Sequence, residues 1–262
     1  MATAHTENRG CAAVIFYDNP PTGIMTPQGA TQLLTQVQAA IADPTVAALV
    51  LTGGQPDVFV RHFDVVSLLK MAEALRSGAA SMETFRNPAY QQVFAACARA
   101  PKPVIAAING MCMGGGLELA LACDLRIAGS RVRHIGLPEI TIGLFPGGSG
   151  TQRLPHIIGE ACALEFILRG KVVDAAEALR IGLVHELADD PLARALELAQ
   201  EFGSRRPAAL AAIKALMVGP REDALQAGLA AEKLAFGHLL QTDDGTLAML
   251  REFVQAGGVL NL

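Results

Sequence analysis

Two glutamates stand where proton chemistry is feasible. Glu118 lies just past a glycine triplet, Gly114-Gly115-Gly116, and Glu139 follows Pro138 in a glycine-rich stretch, 134–155. Three glycines in a row let a backbone approach a ligand closely and adopt positive φ where a turn demands it. The apolar residues from Leu117 to Ala122 predict a helix that begins at once, with Glu118 in its first turn. The first amides of a helix lack intrahelical partners and sit at the positive end of its dipole. Such a place holds an anion or a developing oxyanion, and a carboxylate beside it can carry a proton. Each glutamate alone also has an ordinary explanation, because the dipole favours first-turn Glu and a loop Glu is commonly a solvated charge. Other chemistries find no pattern. The glycines do not form Gly-x-Gly-x-x-Gly, and Gly147–Thr151 lacks the Gly-Lys-Ser/Thr ending of a phosphate loop. The six His show no metal-ligand spacing, so no metal site is expected. Gly-x-Ser-x-Gly and a Ser-His-Asp order are absent too.

The elements that must position these residues follow from pattern. Residues 11–18 form an apolar, β-leaning run that ends at Asn19-Pro20-Pro21. Thr26-Pro27 reads as N-cap and first residue of a helix carrying Leu33, Leu34, Val37 and Ile41 on one face. Residues 46–53 and 104–110 are continuous apolar runs closed by glycine, which predicts strands buried on both faces. A helix is expected from Pro88 to Arg99 and a strand over 124–129. Helical patterns dominate afterwards, almost without interruption from Pro207. The alternation predicts an α/β fold with a largely parallel interior. It does not choose among α/β folds.

Composition sets the outer limits. The chain has 262 residues, 51% hydrophobic and 18% charged, as expected of an ordered globular protein of one or two domains. A net charge of -4 without a basic stripe, and few aromatic residues, give no support to a nucleic-acid partner. No secretory signal pattern opens the chain, and the most apolar stretch, 103–129, is interrupted by the glycines, Glu118 and Asp124, so no membrane span is expected. Five Cys, an odd number without Cys-x-x-Cys spacing, read as buried thiols of a cytoplasmic protein.

Taken together, residues 57–65, 109–125 and 136–154 resemble the crotonase (enoyl-CoA hydratase/isomerase) superfamily, and the resemblance runs over nearly the whole chain. The family's Gly-Gly-Gly-x-Glu-Leu-Ala run stands as Gly114 to Ala120, followed by Cys123-Asp124. Its Pro-Glu loop stands as Pro138-Glu139, Gly143, Pro146-Gly147 and Gly150 to Leu154. Its Asp-Ala-x-Glu-Ala run stands as Asp174 to Val184. The resemblance implies a spiral of ββα units, here 1–195 with the acyl-CoA site, and a helical C-terminal region, 196–262, that builds a homotrimer or a dimer of trimers. It implies an acyl-CoA thioester as substrate, with no separate cofactor because coenzyme A is part of that substrate. Gly115 carries over as one backbone donor to the thioester oxygen. The family's Ala-Gly-Ala-Asp segment falls on Arg61-His62-Phe63-Asp64, which makes Phe63 N–H the second donor and puts His62, Asp64 and Val65 at the substrate. Glu118 and Glu139 match the two catalytic carboxylates of the hydratase branch. Gly147 resembles the loop glycine whose N–H holds the attacking water.

Two departures bear on function. His62 and Phe63 replace small residues, so the acyl pocket is expected to be reshaped, and His62 would be strained if its φ were positive, by roughly 1 kcal/mol. The basic cluster the family carries near its C-terminus is missing, with Arg251 alone in 242–253. The carboxylate pair favours hydration of a 2-enoyl-CoA or the reverse. Double-bond isomerisation, decarboxylation, thioester hydrolysis and an inactive scaffold stay as alternatives.

Overall fold

The computed structural model describes residues 2–85 and 88–260. A hairpin of β1 (Thr3–Arg9) and β2 (Ala12–Asp18) opens it, and α1 (Pro27–Ala42) follows, capped by the Thr26 hydroxyl on Gly29 N–H. Next come β3 (Ala48–Gly53), β4 (Asp57–Val60), α2 (Val65–Ser77) and α3 (Ala89–Arg99). The central part holds β5 (Val104–Ile108), β6 (Gly110–Met113), α4 (Gly115–Leu121), β7 (Leu125–Gly129) and β8 (Ile135–Gly136). Short helices α5 (Gly150–Arg153), α6 (Pro155–Ile158) and α7 (Glu160–Leu168) lead to β9 (Val172–Val173), α8 (Ala175–Arg180) and β10 (Glu186–Ala188). The last four helices are α9 (Pro191–Gly203), α10 (Pro207–Met217), α11 (Gly219–Thr242) and α12 (Asp244–Gln255).

The strands form two sheets, ordered β1-β2-β3-β5-β7-β10 and β4-β6-β8-β9. Successive units place one strand in each sheet, β3 then β4, β5 then β6, β7 then β8, so the chain advances as a spiral. Every pairing in the first sheet from β2 to β10 is parallel, and only β1 runs antiparallel. That agrees with the doubly buried runs read for β3 and β5. The reading of 104–110 as one strand is corrected, because the chain changes sheets at Asn109. Its side chain holds the jump by accepting from Gly53 N and donating to Gly53 O and Gln55 O. Strand backbones cross so tightly there that a Cβ on Gly110 would lie 1.7 Å from the Asp57 carbonyl carbon. β1 escaped the sequence reading because it is a polar edge strand with little buried surface.

The main core fills the space between the two sheets, α1 and α3, around Phe59, Phe94, Leu49, Leu51 and Ile108. The opposite face of the first sheet is covered by α9, whose Ala195, Leu198 and Ala199 pack among Val50, Ile105 and Ile127. The division placed between 195 and 196 therefore falls inside a helix that belongs to the sheet. Helices α11 and α12 return to α2, joining Phe236, Leu240, Leu247 and Leu250 to Val65, Leu75, Ile142 and Leu144. Among the described residues no helix is long and apolar enough to cross a membrane. Ile213, Leu216 and Met217 of α10 are left exposed, as are Leu164 and Leu168 of α7.

Candidate active site

Glu118 is fixed from both sides. β6 ends at Met113, Gly114 turns the chain at φ 50°, and α4 starts immediately with every residue buried. Glu118 Oε1 accepts two backbone hydrogen bonds, from Gly148 N at 2.8 Å and Gly150 N at 2.7 Å. The donating loop has room for those contacts only with glycine. A Cβ on Gly148 would lie 2.5 Å from Glu118 Oε2, and one on Gly150 would lie 2.6 Å from Pro146 Cβ. Ser149 between them takes φ 121°, a conformation L-residues rarely adopt. It is held by its buried hydroxyl, which accepts from Arg153 Nε at 3.1 Å.

Glu139 opens a short 3₁₀ turn, Glu139–Ile142. Its Oε1 lies beside Gly114, where an added Cβ would be 3.1 Å from that oxygen and 3.5 Å from His62 Cβ. Its Oε2 is buried with no hydrogen-bond partner among the described residues. The turn is thus folded so that the carboxyl points inward, and Glu139 is no solvated loop charge.

A third buried carboxyl, Glu232 of α11, was missed by the sequence reading. It accepts from the Thr151 hydroxyl and from Thr151 N at 3.2 Å. The signal was present: Glu222, Leu225, Glu232, Phe236 and Leu240 recur at helical spacing and form the buried stripe of α11. Glutamates on an apolar stripe imply buried partners. Those of Glu222 are the guanidinium nitrogens of Arg153.

Burial raises all three carboxyls, because desolvation disfavours the charged form. Glu118 is pushed up to about 7, with the Gly150 and Gly148 amides and the Arg153 charge opposing. Glu139 goes well above the usual range through burial and then through repulsion by Glu118. Glu232 is pushed up to about 8 by burial and the same neighbour. An unfolded chain titrates these groups near about 4.3. Below that pH they are protonated in both states. As pH rises towards 7–8 the unfolded chain releases protons that the folded chain keeps, so stability falls across this window. Glu118→Gln is expected to remove its share of that fall, leaving stability near pH 4 unchanged and raising it at pH 8 by on the order of 1–3 kcal/mol. Denaturant unfolding at both pH values measures it, and an equal change at both would refute the assignment.

The segment 61–65 meets α4 at the same spot. Met25 N donates to His62 O and Asp64 N donates to Met25 O, a parallel bridge that turns the N–H and C=O of Phe63 away from Met25. A Cβ on Gly115 would lie 3.3 Å from Phe63 Cβ and 3.6 Å from Phe63 N, so the two backbones touch. Gly115 N, first in its helix, has no intrahelical acceptor. His62 does not have positive φ, so the anticipated strain is absent. Its ring takes a different place, described below. Phe63 packs on Tyr90 with ring centroids 4.9 Å apart and forms one wall of the pocket. Asp64 does not line the pocket. Its carboxylate caps α2, accepting from Val66 N at 3.0 Å and the Ser67 hydroxyl at 2.6 Å.

His62, Phe63, Gly115, Glu118, Glu139, Val65 and Gly147 line one cavity. Leu68, Phe94, Ile142, Leu144, Phe145 and Phe236 make up most of its remaining wall. Gly147 is confined by α11, since a Cβ there would sit 2.6 Å from the Phe236 ring. No Lys or Arg is among the described residues lining it.

A spiral of ββα units with two buried carboxyls over a glycine turn defines the class, and comparison agrees. The family model described as enoyl-CoA hydratase/isomerase matches residues 7–255. The chain belongs to that family and is an enzyme of that type. It is 39% identical over 216 residues to a 2,3-dehydroadipyl-CoA hydratase of Escherichia coli (strain K12), covering 81% of this chain and 80% of that one. It is 33% identical over 235 residues to a probable enoyl-CoA hydratase of Bacillus subtilis (strain 168), covering 88% of each. The structure of an enoyl-CoA hydratase from Bacillus halodurans superposes with a TM-score of 0.85 at 26% identity, over 95% of this chain and 99% of that one.

Proposed function

We propose that this chain hydrates the 2,3 double bond of a 2-enoyl-CoA, or runs the reverse dehydration, on an apolar acyl chain. The observation that carries the reading is the meeting of Glu118 and Glu139 in one apolar cavity beside the amides of Phe63 and Gly115. Those amides are the donors for the thioester oxygen, which gains negative charge as water adds at C3. The carboxyls divide the two proton steps by their environments. Two amides stabilise Glu118 as a carboxylate, so it takes the proton from water. Glu139, without a donor on Oε2, keeps its proton and delivers it to C2. Gly147, in the wall of the same cavity, supplies the N–H that orients the water in this reading. Coenzyme A leaves with the product, so no separate cofactor is called for. The exposed apolar residues of α10 and α7 support self-association, which sedimentation would read.

The test is incubation with a series of trans-2-enoyl-CoAs, followed by absorbance of the conjugated thioester and by mass. Hydration bleaches the band and adds one water. An isomerised, decarboxylated or hydrolysed product would sink the reading.

The lining also bears on whether this chain would accept the substrate named for its dehydroadipyl relative. A terminal carboxylate in this cavity would have no cation to pair with and two acidic neighbours, at a cost of several kcal/mol. We expect kcat/KM for 2,3-dehydroadipyl-CoA to lie at least about 10²-fold below that for 2-hexenoyl-CoA, which has the same number of carbons. Equal values would show that the carboxylate finds a partner.

A further inference from the structure

Arg61 and His62, which fall on the Ala-Gly of the family's Ala-Gly-Ala-Asp segment, have a use in this fold: they hold the segment that follows α12. The chain turns there at two glycines of positive φ, Gly257 at 110° and Gly258 at 67°, a path closed to most L-residues. Gly258 N bonds back to Phe253 O at 2.9 Å, and a Cβ on Gly258 would lie 3.6 Å from Val66 Cγ2, so the segment runs against the start of α2. Leu260 N then donates to His62 Nε2 at 3.3 Å, and Leu260 O accepts from Arg61 Nη1 at 3.3 Å. Both peptide groups of Leu260 are thereby satisfied by side chains, and the leucine side chain enters the cavity wall at 9% exposure.

The His62 ring can serve in only one tautomer. Nδ1 lies 2.7 Å from Phe63 O, an acceptor, so Nδ1 carries the hydrogen and Nε2 is free to accept from Leu260. Burial lowers the His62 pKa, which favours this neutral form. The Phe253 ring meets His62 edge-on at 6.2 Å and fixes its plane. One imidazole thus ties the 256–260 segment to the backbone of Phe63.

We propose that Leu260 is a specificity-determining residue, a fitted wall that sets the length of acyl chain the cavity admits, with Arg61 and His62 as its anchors. This rests on the acyl-CoA reading of the same site. Leu260 belongs to none of the three hydrophobic clusters that build the core, so its size can be changed with little effect on the fold.

The experiment is calorimetric binding of saturated acyl-CoAs from four to twelve carbons, with kcat/KM on the matching enoyl-CoAs. Leu260→Ala is expected to shift the long-to-short affinity ratio at least about tenfold towards longer chains, and Leu260→Phe to shift it in the opposite direction. His62→Phe keeps a ring but loses the acceptor, and is expected to reproduce the direction of Leu260→Ala, as is deletion of 258–262. Unchanged ratios in Leu260→Ala and Leu260→Phe, both folded by thermal melting, overturn the proposal. If no enoyl-CoA is hydrated while binding still shifts with Leu260, the hydration reading fails and this one stands. Hydration with an invariant chain-length profile has the reverse meaning.

Discussion

Glu118→Gln and Glu139→Gln should each lower kcat/KM for enoyl-CoA hydration by about 10²–10⁴-fold, the range a positioned acid or base supplies. Glutamine is the appropriate replacement at both positions. At 118 its amide oxygen can still accept from Gly148 and Gly150, so the loop stays in place and only the base is lost. At 139 a neutral amide replaces a carboxyl that burial and Glu118 already hold protonated, so packing is preserved and only the transferable proton disappears. The two groups act in one proton cycle, so the double variant should lose much less than the product of the single losses. Affinity for a saturated acyl-CoA, which needs neither proton step, should change little. Rates near wild type in either single variant would show that the carboxyls do not carry the reaction.

The second large effect lies behind the site. Arg153 and Glu222 form a two-pronged pair with side chains 4% and 1% exposed, and Arg153 also donates to Ser149 in the loop that holds Glu118. Arg153→Met leaves the buried Glu222 carboxylate with Arg221, 3.5 Å away and partly exposed, as its cation, and is expected to cost up to about 3–5 kcal/mol. For a chain of this size that is a fall in Tm of roughly 6–20 °C. Arg153→Met with Glu222→Leu removes both charges and should recover most of that loss. It should not restore the proton chemistry. The Arg153 charge is one of the influences holding the Glu118 pKa down. In the double variant the acidic limb of the pH–rate profile should therefore move to higher pH. A double variant as unstable as the single one, or an unmoved limb, would mean that the pair acts only as packing.

Much of the spiral was legible because buried parallel strands announce themselves as unbroken apolar runs. Leu49–Leu51 and Val104–Ile108 have no solvent face and so no alternation. The change of sheet at Asn109 was not legible. Apolar character continues across it, and only the approach of the Asp57 and Gly110 backbones shows that two strands meet there. The glycine triplet and Glu118 could be read because a short segment contains both the turn and the helix start. Glu139 could be read only through the resemblance, since nothing local shows a loop carboxyl turning inward.

The sequence by itself determined the apolar runs that become the parallel sheet, the glycines that open α4 and the two glutamates flanking the site. These depend on local chemistry: period, turn propensity and residue type at short range. Only the tertiary structure decided that Glu232 joins the acidic cluster and that His62 anchors Leu260. Those contacts link residues as far as 198 apart in the chain. Desolvation and hydrogen-bond geometry act through space, so a pattern within one segment can mark Glu232 as buried but cannot name the groups it meets.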